Sequence, residues 1–125
     1  MDGGARGNPG PAAVAAIATD SAGKPLAERS ERIGEATNNV AEYRAVMLGV
    51  ELARELGADE VELIGDSELI ARQLKGEYKV KQEHLRPLHA EASAALGKLR
   101  KWSIRNVPRA ANARADELLN ETLDG

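Results

Sequence analysis

The chain has 125 residues, 42% hydrophobic and 30% charged, with no cysteine and a formal net charge of −3. That length allows one domain with a real core, and the lack of thiols excludes disulfides and cysteine-bound metals. No apolar run approaches the ~20 residues of a membrane span and no signal peptide is visible, so a cytoplasmic protein without membrane association is expected. Tyr43, Tyr78 and Trp102 are the only Phe/Trp/Tyr residues, which leaves little capacity for base stacking. The charge is uneven. Lys98, Arg100, Lys101, Arg105, Arg109 and Arg114 follow one another without an acid, and Lys75, Lys79, Lys81 and Arg86 form a second basic group. A basic face on an acidic protein is compatible with a polyphosphate ligand.

Met1 to Pro11 carries four glycines and two prolines, the chemistry of turns. Gly7-Asn8-Pro9-Gly10-Pro11 reads as a hairpin connection. Glycines beside Asp2 would let a large ligand approach the backbone closely. Ala12–Asp20 and Leu26–Glu35 read as strands around a Ser21–Pro25 turn, making a three-strand meander with the opening segment. Thr37-Asn38-Asn39 offers helix caps, and a helix is expected to run to Leu56 and stop at Gly57. Glu42 falls on the side of that helix shared with Ala45, Val46, Gly49 and Ala53, away from the charged Arg44–Glu51–Glu55 face. Its alternatives are a capping box with Asn39 or an inward functional role.

Val61–Gly65 reads as a buried strand ending in Asp66-Ser67, followed by a helix over Glu68–Leu74. The spacing suggests a parallel crossover, whose strand ends are where ligand chemistry gathers. Asp66 is open to that reading and to N-capping. A basic connection over Gly76–Gln82 leads to a helix with Leu85, Leu88, Ala92, Leu96 and Leu99 on one stripe. His84 and His89 read as surface or packing residues. Trp102–Val107 is the last strand, Pro108–Ala111 a loop, and Asn112 is expected to cap a final helix containing Asp116.

Four carboxylates thus stand at four element junctions in the order β-β-β-α-β-α-α-β-α. With their flanks, Asp2-Gly3-Gly4 and Arg6 to Pro11, Thr37 to Glu42, Asp66-Ser67 and Asn112 to Asp116, they resemble the ribonuclease H type 1 family over essentially the whole chain. The resemblance implies an α/β, ribonuclease H-like fold: a five-stranded mixed sheet, order 3-2-1-4-5, with helices on both faces. It implies an endonuclease that hydrolyses the RNA strand of RNA–DNA hybrids, leaving 3′-hydroxyl and 5′-phosphate ends. Asp2, Glu42, Asp66 and Asp116 would be the catalytic and metal-binding acids, holding two Mg²⁺ ions, with Mn²⁺ an acceptable substitute. Oxygen-only ligands suit such hard cations. Gly4, Arg6, Asn8, Asn38 and Asn39 would face the minor groove, Thr37 a DNA phosphate, and Lys79, Lys81 and Arg109 further backbone. A monomer is expected. The rival readings are a non-catalytic nucleic-acid-binding module on the same fold and a metal-independent structural domain.

Three departures from the family pattern stand out. The loop before Asp116 has Arg109 and no histidine. Gly76–Gln82 is too short for the basic, Trp-bearing handle of some members, so affinity would rest on Lys79, Lys81 and the Arg-rich final third. Only Met1 precedes Asp2, where the family has several apolar residues. A single catalytic domain over 1–125 is therefore expected, either lacking the start of its first strand or with that strand clipped and Asp2 frayed. The Asp124-Gly125 end equally allows a domain cut from a longer protein.

Overall fold

A computed structural model describes residues 1–125. The elements follow the order β1 (Asp2–Ala5), β2 (Gly10–Thr19), β3 (Pro25–Ala36), α1 (Asn38–Glu55), β4 (Glu60–Gly65), α2 (Glu68–Leu74), a 3₁₀ turn at Glu83–Leu85, α3 (Arg86–Gly97), β5 (Lys101–Asn106), a 3₁₀ turn at Arg109–Asn112 and α4 (Ala113–Asp124). Boundaries differ from the sequence reading by one or two residues, the usual fraying of element ends.

β2 organises the meander. It pairs antiparallel with β1, Asp2 opposite Ala15, and on its other edge with β3. Its small apolar residues are buried on both faces, as strand alternation directs. Val14 and Ala16 pack with Ala45, Leu48 and Leu52 of α1, while Ala13 and Ala15 pack with Leu119 of α4. The largest cluster lies beneath α1, α2 and α3, where Tyr43, Val46, Val50, Ile70, Leu85 and Leu96 meet Leu63 of β4 and Ile104 of β5. β4 and β5 are parallel, joined by the α2–α3 crossover.

The α/β class is as expected, while the strand ladders divide in two rather than running on as one five-stranded sheet. The strands form a three-stranded sheet, β1-β2-β3, and a separate two-stranded sheet, β4-β5. The reason is local: β1 spans only Asp2–Ala5, and one hydrogen bond, from the Met1 nitrogen to Ile64 O at 2.9 Å, spans the gap to β4. Asp2 is nevertheless not frayed. It is 7% exposed and in register with Ala15, and Asn112 Nδ2 also donates to Met1 O at 2.7 Å. No helix is long and apolar enough to cross a membrane.

Candidate active site

The approach of α1 to β1 begins with a glycine. A Cβ on Gly3 would lie 2.2 Å from Ala41 O, so only glycine lets the first turns of the helix rest on this strand. That contact carries Glu42 to the strand bearing Asp2. Asp2, Glu42 and Asp66 line one small cavity, together with Gly65, Ser67 and Arg105. Asp116 joins them from α4, within hydrogen-bonding reach of Asp2. Thus the four acids singled out in the sequence come together from four elements.

Both capping alternatives fail. The α1 cap is Thr37, whose hydroxyl accepts from Val40 N at 3.3 Å; Asn39 lies inside the helix and forms no capping box with Glu42. The α2 cap is Ser67, accepting from Ile70 N at 3.3 Å, which leaves Asp66 without a capping duty. Asn112 was expected to cap α4 but makes no such bond, because its amide is turned to Met1 O and ties α4 to β1. Asn112 and Ser67 are supporting residues whose roles sequence spacing did not expose.

The electrostatics are those of crowded, half-buried acids. Burial is the main cause raising Asp2 to about 7, helped by the charges of Asp66 and Asp116. Glu42 is likewise raised by burial to about 7, with Asp66 adding to the rise and a hydrogen bond from Ser67 opposing it. One of them has a cationic partner at hydrogen-bond distance: Arg109 Nη2 donates to Asp116 Oδ1 at 2.9 Å. The donors are carboxylate oxygens, a set suited to a hard divalent cation. As the side chains stand, no three acids or histidines surround a single point at ligand distance. Repulsion among uncompensated carboxylates favours such spreading.

The other site candidates fall into two groups. The glycine-rich loop and the start of α1 are fastened together: Asn8 Oδ1 accepts from Asn38 N at 3.0 Å, and Asn38 Oδ1 accepts from Ala5 N at 2.9 Å. Gly4 lies on β1 beside them, with Thr37 and Asn39 at the helix start. Arg6 turns away from this joint to Asp124 at 2.7 Å and Asn120 at 3.2 Å on α4. Lys79 and Lys81 are exposed on the connection after α2, separate from that group. The Arg-rich final third is not a free basic face. Arg100 pairs with Glu60 and Asp59, Arg105 with Glu62, and Arg114 with Glu28 and Glu117, so much of its charge is neutralised across the sheets. His89 is a packing residue, with Nε2 3.1 Å from Gln73 O and its ring edge-on to Tyr43.

Comparisons with known proteins agree with this architecture. A family model described as reverse transcriptase-like matches residues 1–122. Ribonuclease HI of Halobacterium salinarum is 46% identical over 99% of this chain, which spans 62% of that relative's length. The crystal structure of RNase H1 from the same archaeon matches with a TM-score of 0.95 at 46% identity, covering 98% of this chain and 93% of that one. LC11-RNase H1, solved in complex with an RNA/DNA hybrid, matches with a TM-score of 0.93 at 45% identity, again covering 98% and 93%.

Proposed function

The chain belongs to the ribonuclease H type 1 family, and from that premise we propose that residues 1–125 act as one catalytic domain hydrolysing the RNA strand of RNA–DNA hybrids. The observation that carries this reading is the convergence of Asp2, Glu42, Asp66 and Asp116 from β1, α1, the end of β4 and α4, with Asp2 buried and Asp116 alone of the four paired with an arginine. So many acids in one place weaken an apo fold, so their gathering is better explained by a cationic ligand than by packing. All four would hold Mg²⁺, as two ions, with Mn²⁺ able to replace it. Bound there, the ions supply Lewis acidity at the scissile phosphate and at the attacking water.

The chain's own residues do the rest. Ser67 fixes Glu42 by hydrogen bond, and Asn112 fixes the Met1–Asp2 backbone, so the carboxylates are pre-positioned. Gly4, Asn8, Asn38 and Asn39 form the surface offered to the minor groove, where ribose 2′-hydroxyls distinguish RNA from DNA. Thr37, Lys79, Lys81 and Arg109 contact phosphates. Recognition by sugar and shape suits a protein with three Phe/Trp/Tyr residues. The relative solved with a hybrid supports this substrate class.

The test is cleavage of an end-labelled hybrid beside double-stranded RNA and double-stranded DNA, in Mg²⁺ and in Mn²⁺. Cutting confined to the RNA strand of the hybrid, with 5′-phosphate products, is expected. A hybrid bound tightly but left intact in both metals would instead make the protein a binding module.

A further inference from the structure

We infer that Asn120 and Asp124 of α4 are positioning residues for substrate recognition: through Arg6 they hold the glycine-rich loop in the pose it offers to the minor groove. Asn112, Asp116, Asn120 and Asp124 recur at four-residue spacing along α4 and its N-terminal cap, and so form one stripe. Each meets β1 or its continuation in order. Asn112 donates to Met1 O at 2.7 Å, Asp116 reaches Asp2, and Asn120 Oδ1 and Asp124 Oδ1 accept from the two Arg6 amino nitrogens at 3.2 and 2.7 Å. The lengths agree: Asn112 to Asp124 rises about 18 Å as a helix, and Met1 to Arg6 spans about 17 Å as a strand. The stripe thus follows β1 from the acid cluster to the loop.

The residue types point to this use rather than to helix stability. An acid in the last turn meets the negative end of the helix dipole, so Asp124 weakens α4 unless a cation answers it. α4 has no basic residue of its own in that turn, and Arg6 supplies the charge from 118 positions away. Arg6 is in turn tied to the rest of the loop. Its N–H donates to Pro11 O at 2.8 Å, and a Cβ on Gly10 would lie 1.9 Å from Arg6 O, so the two arms of the loop are in backbone contact. Asn8 fastens the loop on its other side, accepting from Asn38 N at 3.0 Å. The loop is clamped between α1 and α4, and its guanidinium is occupied by α4 instead of being left for a substrate phosphate. The substrate named here rests on the hybrid-cleaving reading; the clamp does not.

The experiment measures KM, kcat and the salt dependence of hybrid binding for wild type, Arg6→Ala, Asp124→Asn and the charge exchange that combines Arg6→Asp with Asp124→Arg. Each single change should raise KM about two- to fivefold, the range of an exposed ion pair, and alter kcat less. The melt of Asp124→Asn should stay close to that of wild type, because relief at the helix dipole offsets the lost pair. The charge exchange should bring KM back to within about twofold of wild type. The salt slope should be the same in every variant, since no phosphate contact is removed. Wild-type KM values in both single variants overturn the proposal. So does a slope flattened by about 0.9 in Arg6→Ala with no recovery in the charge exchange, which would make Arg6 a phosphate contact. A wild type that neither binds nor cuts hybrid overturns the nuclease reading instead. Amide exchange at Ala5 and Arg6 in Asp124→Asn then decides the clamp, faster exchange supporting it and unchanged exchange overturning it.

Discussion

Arg109 Nη2 lies 2.9 Å from Asp116 Oδ1, so the guanidinium occupies one flank of the acidic cluster. The neighbouring charges of Asp116, Asp2 and Asp66 all help to hold it protonated. A cation bound at Asp116 must compete with that pairing. Arg109→Ala should therefore lower the half-saturating Mg²⁺ concentration by about two- to fivefold, the range of an exposed ion pair. Magnesium titrations of the melting temperature check this separately from turnover, and an unchanged midpoint would mean that the arginine does not compete with the ion.

Asn112 acts as a strap. Its amide donates to Met1 O at 2.7 Å and its side chain is buried. Asn112→Ala leaves that carbonyl unpaired, at a cost of about 1–3 kcal/mol. Thermal melts should show a drop of several degrees, accompanied by weaker metal binding as Asp2 loses its anchor. A wild-type melt would contradict the strap.

Without divalent cations, stability should fall as pH rises. Asp2 and Glu42 are raised to about 7 in the folded protein, against ordinary values of 3.8 and 4.5 in the unfolded chain. Between those limits the native state binds more protons than the unfolded one. Their contribution is full below about pH 4 and is lost as the pH passes 7. In EDTA at pH 8, Asp2→Asn should be more stable than wild type by roughly 1–3 kcal/mol, with the gap narrowing toward pH 5. Added Mg²⁺ should reverse the order at pH 8 by stabilising the wild type. A gap constant with pH would remove Asp2 from the coupled cluster.

Salt dependence reports on Lys79 and Lys81, which stand exposed on the connection after α2. Each lysine that neutralises a phosphate should contribute a slope of about −0.9 in log affinity against log salt. Replacing both by alanine should flatten the slope for hybrid binding by up to about 1.8. An unaltered slope would place the substrate on another face.

Much of this arrangement was legible from periodicity and punctuation. Glu42 stood out because a 3.6-residue repeat put an acid on the apolar side of α1, and the structure sets it in the cavity with Asp2. Which cap residue holds each helix was less legible. Thr37 and Asn39, or Asp66 and Ser67, are chemically equivalent caps, and backbone geometry chooses between them. The fate of the arginines could not be read at all. Arg114 meets Glu28 across 86 positions and Arg105 meets Glu62 across 43, pairings that only the sheet topology creates.

The central claim is that Asp66 is a metal ligand in a hybrid-cleaving site, since Ser67 and not Asp66 caps α2. Cleavage of the RNA strand by wild type and Asp66→Asn, each in Mg²⁺ and in EDTA, measures this directly. Wild type should cut in Mg²⁺ and stop in EDTA, while Asp66→Asn, folded by its melt, should lose activity by orders of magnitude because it removes a charged ligand. Near-normal cleavage by folded Asp66→Asn, or equal cutting by wild type in EDTA, would contradict the account.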